Sequence, residues 1–351
     1  MRYTTFGRRT GLRVSEYALG TGNFGTGWGA GTERDEAKAI FDRFVEAGGN
    51  FIDTADSYQA GQSEQLVGEF IHADRDDLVL ATKFAVGANP ERTLSRTGNA
   101  RKNLRLSVED SLARLDTDYI DVLWVHYPDA LTPVEELLRG LDDLVSHGKI
   151  LYAAFSNFPA WRVSRASLLA DVSGWAPVAG IQVEYSLVER AAERELLPMA
   201  EALGLGVTLW SPLGGGLLTG KYRQSREGRL SDWGTLVHIE TDAQTTAIVD
   251  AVIETAEQVD RTPAQVATAW VRERARRLAT PGVPIIGPRR LSQLEDYLAA
   301  LTLDLTAEQY DRLDEVSRIE LGIPHQANAK ALNGLQGGQA AVFDAPAVPL
   351  A

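Results

Sequence analysis

Ile120-Asp121-Val122-Leu123-Trp124-Val125 is an apolar run with the length of a buried strand. Thr132-Pro133 follows, with Glu135 and Glu136 behind it: a helix cap, a proline at the first helical position and acids in the first turn. Leu137, Leu141, Leu144 and Val145 then recur at helical spacing, and Gly148 stands where a left-handed cap favours glycine. Ile150–Phe155 is strand-like again. Strand, helix and strand in this order form one β-then-α unit with its successor.

The same unit repeats in both directions. Its strands are Tyr17–Leu19, Phe51-Ile52-Asp53, Leu78–Thr82, Ile120–Val125, Ile150–Phe155, Gly180–Val183, Gly206–Trp210 and Val283–Ile286. Ala37, Ile40, Phe41, Phe44 and Val45 mark the first helix, and Leu104, Val108, Leu112 and Leu115 the third. Thr262-Pro263 repeats the cap and proline, and Gly204 ends another helix. Uninterrupted repetition predicts an α/β protein, a (β/α)8 TIM barrel; the rival is an open doubly wound sheet with a second domain. Tyr3–Val14 reads as an N-terminal β-hairpin. A long glycine-rich loop at 212–240 and an extra helix at Ala243–Val259 follow strand seven. We expect one domain over residues 1–325 and a poorly structured tail over 326–351, rich in Gly, Ala and Pro.

The 351 residues bury a large core without staples, and no cysteine is present, which removes disulfides and thiolate chemistry. A formal net charge of −13 disfavours nucleic acid and anionic membranes as partners. The absence of a leader-like or spanning apolar run predicts a cytoplasmic protein.

Gly20-Thr21-Gly22-Asn23-Phe24-Gly25 matches the dinucleotide fingerprint, but Thr26-Gly27-Trp28-Gly29-Ala30-Gly31 cannot open the required helix, so a flexible loop at the barrel mouth is expected. Gly215–Lys221 nearly matches a P-loop, yet Tyr222 stands where a magnesium-binding Ser or Thr is needed; its amides and lysine still suit a pyrophosphate. The histidines at 72, 126, 147, 238 and 325 lack metal-ligand spacing. Asp53, Lys83 and His126 end successive strands, and Tyr58 follows Asp53 closely. A closed barrel gathers such residues at one mouth. There Lys83 would lower the Tyr58 pKa, Asp53 would hold Lys83, and His126 would donate to a carbonyl oxygen. With no nucleophile and no metal, electrons for carbonyl reduction must come from a cofactor.

The chain resembles the aldo-keto reductases. The resemblance rests on Leu19–Gly22, Phe51–Tyr58, Ala81-Thr82-Lys83, Asp121–His126, Phe155–Phe158, Ile181–Tyr185, Trp210–Tyr222 and Pro284–Arg289, and covers residues 1–320. The Ser-Pro-Leu loop looks most like the bacterial branch that resembles potassium-channel β subunits. The resemblance implies NADP(H), reduction of an aldehyde or ketone, and Tyr58 as general acid with Asp53, Lys83 and His126. It places Ser156, Asn157 and Gln182 at the nicotinamide carboxamide and Trp210 on its ring. It also gives the cofactor Thr21, Gly22, Asn23, Asp53, Ser211, Pro212, Leu213, Gly215, Lys221, Arg229, Gly287, Arg289 and Gln293. Asp296-Tyr297 stand where the family often has Glu-Asn at the adenine. Phe24, Trp28, Tyr58, Phe84, His126 and Tyr127, with Trp233 in the long loop, are the expected substrate contacts. Two functions follow: a reductase acting on a general aldehyde, a natural-product ketone or a nucleotide sugar, or a cofactor-bound regulatory protein like the channel-associated relatives. A homo-oligomer is possible, and His325 with the tail could cover the mouth or reach a neighbouring subunit.

Overall fold

A computed structural model describes residues 1–88, 93–223 and 238–344. Eight parallel strands close into a barrel: β3 (Ala18–Gly20), β4 (Phe51–Asp53), β5 (Val79–Phe84), β6 (Ile120–Val125), β7 (Ile150–Ser156), β8 (Val178–Glu184), β9 (Gly206–Trp210) and β10 (Gly282–Ile286), which returns to β3. The rival open sheet is thereby excluded. The helices between strands are α1 (Arg34–Glu46), α2 (Gln62–Ile71), α3 (Arg101–Leu115), α4 (Val134–Ser146), α5 (Ala160–Ser173) and α6 (Leu196–Leu203). After β9 come α7 (Ala243–Gln258) and α8 (Pro263–Arg277), and after β10 come α9 (Leu291–Ala299), α10 (Ala307–Val316) and α11 (His325–Leu335). None of the helices in the described residues is long and apolar enough to cross a membrane.

Alternation along each strand builds two cores. Leu19, Ile52, Leu80, Leu123, Ile181 and Leu209 face outward into a layer shared with the helices. Residues of the other parity, among them Phe51, Val79, Ala81, Val122, Trp124, Ala154 and Val283, fill the barrel. The hairpin of β1 (Tyr3–Thr5) and β2 (Arg13–Ser15) precedes the barrel. Phe6, just after β1, plugs the barrel interior and meets Phe51 and Trp124 edge-on, with ring centroids 5.9 and 6.0 Å away. A Cβ at Gly180 or Gly206 would come within 2.6 or 2.8 Å of that ring, so these two positions need glycine.

Local chemistry sets several boundaries away from those expected. Leu78 closes a turn by donating its N–H to Arg75 O, so β5 starts at Val79 and runs to Phe84, with Lys83 inside it. Thr132 does not cap α4: its N–H and hydroxyl both go to Asp129, and Pro133 is the cap residue. Thr262 does form the expected cap on α8, reciprocated by Gln265. The tail is not structureless up to residue 344. Ala327, Ala329, Ala331 and Leu332 favour helix, and α11 forms, although it buries no side chain. His325 pairs with Glu195 at 3.1 Å, beside the start of α6.

Candidate active site

The interior parity that is apolar low in the barrel becomes polar at its C-terminal end. Phe51 leads to Asp53, Ala81 to Lys83, Trp124 to His126, Ala154 to Ser156 and Gly180 to Gln182, while on β9 Thr208 leads to the aromatic Trp210. A step of two residues keeps the face and advances the height, which gathers these side chains at the mouth.

Lys83 is fully buried, and its Nζ donates to Asp53 and, at 2.7 Å, to Thr54 O. Burial alone would push the Lys83 pKa down, but the contact with Asp53 overrides it and holds the ammonium above its ordinary range. Gln182 Nε2 donates to the other Asp53 oxygen at 2.9 Å. The Lys83 ammonium lies 4.7 Å from the centroid of the half-buried Tyr58 ring. His126 stands edge-on to the same ring at 6.0 Å. Burial, aided by the Lys83 charge, keeps the His126 imidazole neutral by lowering its pKa well below the usual value. The Tyr58 pKa runs against the expectation. Burial pushes it up, and Lys83 only offsets part of that rise, so the phenol stays protonated at neutral pH.

The remaining mouth residues fall into two groups. Asn157, at a positive φ of 60°, donates to His126 O at 3.1 Å and Ser156 Oγ at 3.0 Å. Asn23 Nδ2 donates to Gly287 O at 3.0 Å, and Arg289 Nε donates to Asn23 Oδ1 at 3.3 Å. Gln293 Oε1 accepts from Arg289 N at 2.8 Å. The loop read as flexible is thus laced to the segment after β10, with Thr21 and Asn23 buried. After Trp210, Ser211 turns at φ 61°, and Gly214, Gly215 and Gly216 take φ values of 54°, 67° and 100°. Tyr222 donates back to Gly215 O at 2.8 Å, so the residue that departs from the P-loop pattern secures the glycine turn instead. Pro212, Leu213 and Lys221 belong to the same turn region, and Arg229 and Trp233 lie outside the described residues.

Two of the expected substrate contacts are buried in the core. Phe24 is fully buried against Phe70, and Phe84 lies in the helix-side core, so neither offers a surface to a substrate. Tyr297 joins Leu294 and Leu298 on the buried face of α9, and Asp296 accepts from Gln265 Nε2 at 3.0 Å. Trp28 and Tyr127 do reach the mouth: both are about half exposed, Trp28 edge-on to Tyr58 at 6.1 Å and Tyr127 stacked on His126 at 4.6 Å.

Three acid–base groups at the mouth carried no assignment from sequence. Glu184 ends β8 and meets His238 at 3.0 Å, which raises the histidine pKa. Asp56 is buried, accepts from Gly87 N at 3.2 Å and leaves its Oδ1 without a hydrogen-bond partner among the described residues. Burial, with Glu64 adding and Arg114 opposing, pushes the Asp56 pKa up to about 7. The signal was present, an acid inside a strand-end run, but burial was not legible. Because the folded value exceeds the unfolded one, the associated stability is complete below about pH 4 and lost as pH rises through about 7. Asp56→Asn keeps an acceptor for Gly87, so the variant should retain a few kcal/mol that the wild type loses between about pH 4 and about pH 7. Urea denaturation across that range checks it; parallel stability curves would contradict the assignment.

A barrel mouth holding an acid, an ammonium, a phenol and a neutral imidazole is equipped for proton transfer to a carbonyl oxygen. The chain belongs to the aldo/keto reductase family, whose model matches residues 17–318. It is 38% identical to norsolorinic acid reductase of Aspergillus flavus over 324 residues, covering 90% of this chain and 80% of that one. It is 34% identical to the aryl-alcohol dehydrogenase GME11368 of Pestalotiopsis microspora over 324 residues, covering 90% and 82%. The aldo-keto reductase ausK of Aspergillus calidoustus is 33% identical over 366 residues, covering 100% and 90%. These relatives carry oxidoreductase names and lend no support to the likeness with channel subunits. The chain is accordingly an oxidoreductase, in a family that acts on small carbonyl compounds with a nicotinamide cofactor.

Proposed function

We propose that the protein reduces aldehydes or ketones, aromatic ones foremost, with NADPH. The observation that carries this reading is the buried Lys83–Asp53 pair beneath Tyr58, flanked by a neutral His126. The bound nicotinamide would supply the hydride. Tyr58, held protonated by its surroundings, gives its proton to the carbonyl oxygen, and the Lys83 ammonium stabilises the phenolate left behind. His126, uncharged, orients the carbonyl without competing for the proton.

The residues present fit such a cofactor. Trp210 Nε1 and His126 Nδ1 are buried at the mouth without hydrogen-bond partners among the described residues. Ser156, Asn157 and Gln182 offer amide and hydroxyl groups for a carboxamide. The turn from Ser211 to Gly216 and Lys221 suit a pyrophosphate, and Gly287, Arg289 and Gln293 an adenosine phosphate. Thr21 and Gly22 line the same edge. We expect NADPH to bind more tightly than NADH, and Arg289→Leu to weaken NADPH by about 10-fold or more while sparing NADH. Quenching of tryptophan fluorescence reports both affinities; equal loss for the two cofactors would sink the phosphate clamp.

The aromatic preference rests on the Trp28 and Tyr127 rings beside Tyr58 and His126, and on the aryl-alcohol dehydrogenase among the relatives. A panel of aryl and alkyl aldehydes and ketones of similar size, followed by loss of NADPH absorbance, tests it. Aryl compounds should give the higher kcat/KM. Equal values across the panel would remove the preference, and no turnover of any member would remove the reductase reading.

A further inference from the structure

Tyr58 is followed by three consecutive residues in the left-handed region: Gln59 at φ 51°, Ala60 at 56° and Gly61 at 91°. Glycine takes this conformation freely, but Gln59 and Ala60 hold it at a cost that their surroundings must offset. Strain of that kind beside a reacting group points to a function.

The Gln59 side chain supplies the offset. It is fully buried, and both ends of its amide are engaged. Nε2 donates to Gly22 O at 3.0 Å and to Ala30 O at 3.1 Å, and Oε1 accepts from Trp28 N at 3.0 Å. Two carbonyls at one end and an N–H at the other fix which end of the amide is which. Gln62 adds a fourth bond, accepting from Thr26 N at 2.9 Å. The loop from Gly22 to Gly31 thus wraps the side chain of the residue next to Tyr58, so closely that a Cβ at Gly27 would collide with the Gln59 carbonyl. The flanks of the loop are tied elsewhere, Asn23 to Gly287 O and Thr32 to Arg289 O, both at 3.0 Å. Its middle, which carries Trp28, rests on Gln59 and Gln62.

We propose that Gln59 is a positioning residue for the aromatic wall of the mouth: it clasps the Gly22–Gly31 loop and so fixes the Trp28 indole against Tyr58. Trp28 is about half exposed and stands edge-on to the Tyr58 ring at 6.1 Å. Because the clasp belongs to the residue next to the general acid, loop and acid form one body. An aryl carbonyl compound then meets a wall already in place, and binding does not have to order the loop. The kinetic part of this inference rests on the reductase reading; the clasp itself rests on the hydrogen bonds.

Three variants test it. Gln59→Met keeps the bulk of the side chain and removes its bonds. Gln59→Gly removes the bonds and relieves the left-handed backbone, and Ala60→Gly relieves the backbone alone. Hydrogen exchange read by mass spectrometry should be about 10-fold faster over residues 22–32 in both Gln59 variants and unchanged in Ala60→Gly. With an aryl aldehyde, both Gln59 variants should raise KM about 10-fold, with kcat within a few-fold of wild type and NADPH affinity kept, and Trp28→Leu should do the same. Gln59→Met combined with Trp28→Leu should be no worse than either alone, because the two act through one contact. Wild-type exchange in the Gln59 variants would overturn the clasp. Faster exchange with unchanged KM, effects that multiply in the double variant, or an equal rise of KM in Ala60→Gly would overturn the positioning role. A wild type that turns over no carbonyl compound removes the reductase reading instead, and the exchange comparison still decides the clasp.

Discussion

Tyr58→Phe should retain its fold and its cofactor affinity and lose about 10²–10⁴-fold in carbonyl turnover. The phenol ring lies by the Lys83 ammonium and beside His126, with its proton held by burial. Phenylalanine keeps the ring that Trp28 packs against edge-on and removes only the hydroxyl. The loss should fall on kcat, because the proton is needed in the transition state rather than for binding. Steady-state kinetics with an aryl aldehyde, beside a fluorescence titration of NADPH, separates the two. Turnover within a few-fold of wild type, with the chemical step limiting, would take Tyr58 out of the mechanism.

Lys83→Met should cost both activity and stability. The ammonium is fully buried, and its removal leaves the Asp53 carboxylate with Gln182 alone. Breaking a buried pair from one side typically costs about 3–5 kcal/mol, because the surviving charge is left uncompensated. Asp53→Asn added to Lys83→Met removes that charge, so the double variant should recover much of the stability and none of the turnover. Guanidinium denaturation and kinetics on the three proteins complete the cycle. A Lys83→Met protein as stable as wild type would contradict the buried pair. Recovery of activity in the double variant would show that the ammonium takes no part in catalysis.

The β-then-α rhythm and the strand ends were legible because both are local. Alternation with a period of two tells which residues share a face, and closure of the barrel converts that parity into a ring of side chains at one height. Asp53, Lys83 and His126 could be brought to one mouth on that basis alone. The departures share another cause. Phe24 and Phe84 were read as mouth aromatics because they follow strand ends, but Phe70 and the helix-side core cover them. The Tyr58 pKa was read from its charged neighbour, whereas burial, which needs every surrounding element in place, has the larger effect.

By itself, the sequence determined the eight β-then-α units, their order along the chain and the identity of the polar residues at the strand ends, since spacing along one chain settles those, whereas closure into a barrel rather than an open sheet is a property of the structure. Only the tertiary structure decided what each of them meets. The bond from Gln182 to Asp53, the bond from Arg289 to Asn23 and the burial of Tyr297 join residues to, or cover them with, others far apart in the chain. Burial and charge pairing depend on all the neighbours at once, and no local pattern of residues encodes them.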